Sequence, residues 1–230
     1  MNLDEARVDA DVFSLRPEYR ALLITVEGIA TGASDEASEA MLVSAETSAR
    51  ALIGDRPIED IPQVASWREA YRSFGAKPQR TRHSLEALLR RVEGGLPRVN
   101  RLTDIYNAIS VKHLIPIGGE DLTRYVSAPR LIRATGSEPF DTMASGEDVI
   151  EHPEPGEVVW CDDAGVTCRR WNWRQAQRTA LRDDTTSALF ILDALDPITD
   201  EELGRAAEQL LETVRRLGGD VVIEQRLVRA

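Results

Sequence analysis

The 230-residue sequence predicts an α+β fold: a mixed or antiparallel sheet with flanking helices. Two patterns lead to it. Up to about residue 121, one early apolar run is followed by segments of helical apolar spacing bounded by capping residues. Beyond that point, short apolar stretches are punctuated by Pro and Gly clusters, as antiparallel strands are. No repeat or low-complexity linker interrupts the chain. One unit is therefore expected, with a strand-helix extension at 1–60 packed on a main body at 61–230.

In chain order, Tyr19–Glu27 (YRALLITVE) reads as a buried strand. Ser34 is placed to cap a helix running to about Ile53, with Asp35 and Glu36 in its first turn, where the helix dipole favours anions. Asp60-Ile61-Pro62-Gln63 opens a second helix through Val64–Phe74, and Gly75 stops it. Lys77-Pro78 forces a bend before a helix from about Arg82 to Val92, closed by Gly94-Gly95. Leu102, Ile105 and Ile109 mark the apolar face of a helix over Leu102–Leu114. It gives way to Ile115–Asp121, where Gly118-Gly119 permit positive φ and close backbone approach. Strands are expected near Arg130–Ala134, Val158–Cys161, Val166–Trp173 and Ala188–Leu192. Asp163-Ala164-Gly165 suits a hairpin connection, and Pro153, Pro155 and Gly156 a loop. Thr199-Asp200-Glu201-Glu202 is a capping box for a helix to Leu217, ended by Gly218-Gly219, and Asp220–Val228 returns as a last strand.

Composition narrows the function classes. No apolar run approaches the ~20 residues that a bilayer span requires, so no membrane partner is expected. Met1–Glu5 lacks the basic start and apolar core of a signal peptide, which places the chain in the cytoplasm with Cys161 and Cys168 as thiols. His83, His113 and His152 show no metal-ligand spacing, and neither a metal nor another cofactor is expected. A net charge of −11 argues against indiscriminate nucleic-acid binding. The charge is uneven, however. Trp67–Arg101 carries nine cations against three anions, and Arg169–Arg182 five arginines and no carboxylate. Brought together, the two segments would form a positive field that attracts phosphate; apart, each is a solvated face. Phosphate-binding glycine loops, dinucleotide fingerprints, nucleophile elbows and zinc-binding helices are all missing from the sequence.

The most chemically loaded stretch is Cys168-Arg169-Arg170-Trp171-Asn172-Trp173-Arg174-Gln175, which holds two of the four tryptophans. Extended, it puts Trp171 and Trp173 on one face and Arg170, Asn172 and Arg174 on the other. Flat rings beside guanidinium forks suit a ligand that is partly planar and partly anionic, such as a nucleotide end or an amino acid ester. The alternative is an indole pair in the core with arginines solvated or salt-bridged.

A family resemblance takes the reading further. Trp67-Arg-Glu-Ala-Tyr-Arg-Ser-Phe-Gly-Ala-Lys-Pro78, Leu96-Pro97-Arg98-Val99-Asn100 and Asp104-Ile-Tyr-Asn107-Ala resemble the B3/B4 domain, the editing module in the beta subunit of bacterial phenylalanyl-tRNA synthetase. The resemblance covers about residues 65–195, within a B3/B4-like domain expected at 61–230. It is closest to free-standing B3/B4 proteins that share the WREAYR start and the RRWNWRQ stretch. Nothing here resembles an aminoacylation core.

The resemblance implies a pocket that accepts the 3′ end of a mischarged tRNA and, in the synthetase, removes tyrosine from the phenylalanine tRNA. Asn107 matches the asparagine of the family's Asp-x-x-Asn segment, with Asp104 beside it. Ile115–Asp121 matches a Gln-Pro-x-His-Ala-Phe-Asp segment. Pro116 and Asp121 are kept, while the family's histidine falls on Gly118 and its phenylalanine on Glu120. The family's pocket glutamate falls at about Ile191. Without that histidine and glutamate, the synthetase's preference for tyrosine is not carried over.

By this reading Asn107 and the amides of Gly118 and Gly119 orient the ester or a water. Arg170, Trp171, Asn172, Trp173, Arg174, Gln175 and Asp121 form the substrate site, and Arg72, Lys77 and Arg82 meet tRNA phosphates. The expected function is binding of the aminoacyl-tRNA 3′ end, with trans-editing hydrolysis of mischarged tRNA. The alternative is a non-catalytic binding module for tRNA or a free aromatic amino acid.

Overall fold

In the computed structural model, residues 2–144 and 146–230 are described. Their elements are β1 (Arg7–Val8), α1 (Ala10–Phe13), β2 (Arg20–Glu27), α2 (Glu36–Ile53), α3 (Pro62–Ser73), α4 (Ser84–Leu89) and α5 (Arg101–His113). There follow β3 (Ile117–Asp121), β4 (Arg130–Arg133), β5 (Phe140–Ala144), β6 (Glu147–Glu151), β7 (Val158–Asp162) and β8 (Gly165–Arg169). The chain closes with β9 (Arg174–Gln175), β10 (Ser187–Ala194), α6 (Asp200–Val214) and β11 (Val222–Arg229). The arrangement is α+β, with mixed and antiparallel open sheets.

β2 is an inner strand, as its unbroken apolar run requires. The four-stranded sheet runs β11-β2-β10-β3, antiparallel throughout. A second sheet runs β1-β4-β7-β8-β9, with β1 parallel to β4, and β5 and β6 form a separate hairpin. Side-chain alternation along β10 divides the core. Ala188, Phe190 and Leu192 face α5 and α6, where Ile105, Ile109, Leu203 and Leu210 cover them. Leu189 and Ile191 face the second sheet and α3, meeting Trp67, Trp160 and Trp171. α2, α4 and α5 share a further apolar cluster through Leu42, Leu85, Leu89 and Ala108. The WREAYR motif belongs to this scaffold: Trp67 and Tyr71 are buried, and Arg68 donates to Glu86 of α4 at 2.8 Å.

Several boundaries differ from those expected. α2 is capped by Asp35 rather than Ser34, because Ser38 lies three residues on and completes a reciprocal box with it. α4 begins after His83, whose Nδ1 accepts the Glu86 N–H at 3.3 Å, and ends at Leu89, short of Val92. Thr199 and Glu202 form the capping box read for α6. The β5–β6 hairpin was missed in the sequence.

Gly118-Gly119 lie in the extended strand β3, and neither has positive φ. Close approach is the reason for glycine at 119. A Cβ there would stand 2.8 Å from Leu181 Cδ1 and 2.8 Å from Tyr106 Cε1. Gly119→Ala is expected to destabilise by about 1–3 kcal/mol through overpacking. A thermal melt should show a midpoint lowered by several degrees, and an unchanged midpoint would refute the packing argument.

Candidate functional site

The two sheets diverge beside α4 and α5 and leave a recess of about 280 Å³. α4 supplies Ser84, Ala87 and Leu88 to its wall, the turn after it Arg91, and α5 supplies Tyr106 and Asn107. β3 contributes Ile117, Gly118 and Glu120; β10 contributes Ile191 and Asp193. Trp160 of β7, Cys168 of β8, Asn172, Trp171, Trp173 and Gln175 complete it. Gly118 pairs directly with Ile191 across β3 and β10, and Glu120 pairs with Leu189. Paired residues share a face, so Gly118, Glu120, Ile191 and Asp193 all belong to the recess side of the sheet. The two positions onto which the resemblance maps the family's histidine and glutamate are thus cross-strand neighbours.

Family membership is decided by the sequence that builds this wall: the model of the B3/4 domain matches residues 66–218. The chain belongs to the B3/4 domain family. The match runs on past residue 195 to take in α6. No curated protein matches the chain. Among the solved structures it is similar to is an N-terminal fragment of the phenylalanyl-tRNA synthetase beta-subunit from Pyrococcus horikoshii, at 13% identity and a TM-score of 0.47. That alignment covers 96% of this chain and 53% of the fragment, so the chain spans about half the fragment's length. Among the described residues, no helix is long and apolar enough to cross a membrane.

The RRWNWRQ stretch of this B3/4 domain is not extended. β8 and β9 pair Arg169 with Arg174, and Arg170–Trp173 form the turn between them. Arg170 and Trp171 take positive φ, 48° and 67°, so the expected split of indoles and arginines onto two faces does not exist. Tertiary packing explains the turn. It drives Trp171 into the interior, fully buried, edge-on to Tyr19 at 4.9 Å and Trp67 at 5.4 Å. Only Trp173 stays half-buried on the recess wall, with the guanidiniums of Arg170 and Arg174 over its ring at 4.5 and 4.8 Å.

Those arginines do not line the recess. Arg174 pairs with Glu151 at 2.5 Å, and Arg170 donates to Thr81 Oγ1 at 2.5 Å and lies 3.5 Å from Glu157. Arg169, buried, is held by Glu157 and Glu151. The cations of this segment are matched by carboxylates distant in sequence.

Of the other expected residues, Asn107, Gly118, Asn172 and Gln175 line the recess. Gly119 does not: its side faces the helical layer, and its carbonyl accepts from Gln175 Nε2 at 2.9 Å. Successive amides of an extended strand point to opposite edges, so Gly118 and Gly119 cannot jointly hold one oxyanion. Asp121 is buried away from the recess, accepting from Thr123 and from Thr185 Oγ1 at 3.1 Å. Asp104 likewise holds the Val99 N–H and the Ser38 hydroxyl. Arg72, Lys77 and Arg82 are exposed; Arg82 lies 3.7 Å from Glu86.

Sequence reasoning missed two carboxylates. Glu120 accepts the Tyr125 hydroxyl, and burial pushes it up to about 7. Asp193 accepts the Tyr19 hydroxyl at 2.5 Å and Asn172 Nδ2 at 3.2 Å. Burial, with the charge of Glu120 adding to it, pushes Asp193 up to about 7. Neither forms an ion pair among the described residues. The available signal was an acid near the end of each of two otherwise apolar or glycine-rich strands, Glu120 beside Asp121 in β3 and Asp193 before Ala194 in β10. Burial also raises the Cys168 thiol well above its ordinary value, which counts against a thiolate nucleophile.

Proposed function

We propose that the recess receives the aminoacyl-bearing 3′ end of a tRNA, with cations of the α3–α4 region meeting backbone phosphate. One observation carries this reading. A ligand-sized aromatic and polar recess shares its α4 wall with a connection rich in unpaired cations. Arg72, Lys77, Arg80 and Arg91 are exposed and have no carboxylate partner among the described residues, whereas Arg82 and Arg90 lie beside Glu86. Membership of the B3/4 family agrees with it. Trp173, rather than Trp171, is the indole placed to stack on a terminal base, a contact worth about 1–3 kcal/mol. Asn107 orients the ester end. Hydrolysis of that ester is the finer reading, favoured by carboxylates poised near neutrality, the range a general base toward water requires.

Gel shifts and deacylation assays on a panel of aminoacylated and uncharged tRNAs test both levels. Retardation should be stronger for charged tRNA, and Asn107→Ala should reduce that preference by about tenfold, the loss of one good hydrogen bond. Lys77→Ala should weaken all members uniformly and shrink the salt slope by about 0.7–0.9. Retardation without deacylation would leave a binding module. No retardation of any tRNA would overturn the reading in favour of a free small ligand.

A further inference from the structure

We propose that β11 is the interface of a symmetric dimer: it pairs antiparallel with β11 of a second copy of this chain, with Gln225 on the two-fold axis. The inference is independent of what the recess binds, because β11 and the recess strand β3 are opposite edges of the four-stranded sheet.

The first observation is that β11 is a long edge left open. A strand edge presents unpaired N–H and C=O groups, and proteins guard such edges by shortness, cover, bulges, proline or charge. β1 and β9, the edges of the second sheet, have two residues each. β3 is covered by 179–180, where the Asp121 N–H donates to the Thr179 carbonyl and Glu120 bridges to Ala180. β5 is tied through its Asp141 carbonyl, which accepts the Gln177 N–H. β6 carries Glu147, Asp148 and Glu151 within five residues, so two copies of it repel. β11 has none of these guards. Its eight residues pair with β2 in unbroken register and include no proline. Among the described residues, no backbone hydrogen bond leaves its outer side. Val222 and Leu227 are exposed on it, at 60% and 39%.

The second observation is that the strand's own sequence selects its partner. A two-fold axis normal to the sheet keeps each face on its own side, so odd residues meet odd ones and even meet even. With Gln225 on the axis, Glu224 meets Arg226 of the second copy, Ile223 meets Leu227 and Val222 meets Val228, each pair occurring twice. Moving the axis by one residue sets Glu224 against Glu224 or Arg226 against Arg226. Like charges directly opposite destabilise a strand pair, so charge attracts the second copy and also fixes its register. Neither charge is matched within the chain. Glu224 is exposed with no partner among the described residues, and Arg226 donates to the Leu3 carbonyl at 2.5 Å. On the other face, Ile223 already packs against the cluster under α5 and α6, and Leu227 of the second copy extends that seam across the axis.

The oligomeric state of the full chain tests this, by sedimentation velocity across the micromolar range. Physiological ionic strength is used, where repulsion between two chains of net charge −11 is screened. The wild type should pass reversibly from monomer to dimer as concentration rises. Glu224→Arg and Arg226→Glu should each weaken association by about tenfold or more, since each sets two like pairs across the axis. An equimolar mixture of the two variants should dimerise again, because every cross-pair is then arginine against glutamate. Should Arg226→Glu fail to fold, Gln225→Cys supplies the second reading. Antiparallel partners stand about 4.5–5.5 Å apart at Cα, within disulfide reach, so oxidation should link two copies. A wild type monomeric throughout overturns the dimer. A dimer unmoved by Glu224→Arg, a mixture that stays monomeric, or an oxidised Gln225→Cys chain without cross-link overturns this interface.

Discussion

Trp171→Ala is expected to remove about 3–5 kcal/mol from folding stability, the cost of emptying a fully buried indole site. The ring is 0% exposed and edge-on to Tyr19 and Trp67, contacts that add about 0.5–1.5 kcal/mol per pair beyond area. Alanine gains nothing in return, because position 171 keeps φ of 67°, a conformation strained for any residue with a Cβ. Against a total stability of about 5–15 kcal/mol, the loss leaves a marginal protein. Urea denaturation followed by far-UV circular dichroism measures it. Trp173→Ala, on the half-buried wall, should cost less than half as much. The reverse ranking would show that the two indoles have been assigned to the wrong roles. Trp171→Ala is therefore first a probe of the fold.

The second large effect is on pH dependence. Glu120 and Asp193, at about 7, hold protons in the folded state that the unfolded chain releases near pH 4. A raised acid contributes stability that is full below its unfolded value and is lost as pH climbs to its folded value. Stability therefore falls between about pH 4 and 7 and levels off above that. His83 opposes this: burial, with help from Arg68, lowers it to about 3, so its contribution is lost as pH falls below about 6.5. Two protons on one side and one on the other leave a net slope of about one proton, or at most ~1.4 kcal/mol per pH unit, downward toward neutrality.

Glu120→Gln removes one of the two and should flatten the slope. The variant should match the wild type near pH 5 and exceed it at pH 8, by a difference on the order of 3 kcal/mol at most. Chemical denaturation at the two pH values settles it. A variant weaker than wild type at pH 8 would mean that Glu120 is not desolvated as described.

What was legible in the sequence, and what was not, follows the range of the interactions concerned. Asn107, Asn172, Gln175 and Trp173 were read as site residues and do line one recess. Helix signals such as Pro62 at the start of α3 and the Thr199–Glu202 box are local, and they were readable. The turn at Arg170–Trp173 was not, because a two-residue spacing of tryptophans reads as a strand until Tyr19 and Trp67 are known to surround Trp171. Whether the arginines there were salt-bridged stayed open in the sequence because Glu151 and Glu157 lie more than ten residues upstream. Glu120 and Asp193 carried no local signal of a shared site, and only the register of β3 against β10 gives them a common face. The polar β5–β6 hairpin offered too weak an alternation to be seen.

The register of β10 has a consequence for how the family can diverge. Even-numbered side chains from Ala188 to Leu192 belong to the helical layer, while Ile191 and Asp193 belong to the cavity. The recess lining and the seam with the helices are thus written on opposite sides of a single ribbon. Drift at 191 and 193 can reshape the recess while leaving the hydrophobic seam with α5 and α6 intact, so two members could keep the same scaffold and line that cavity differently.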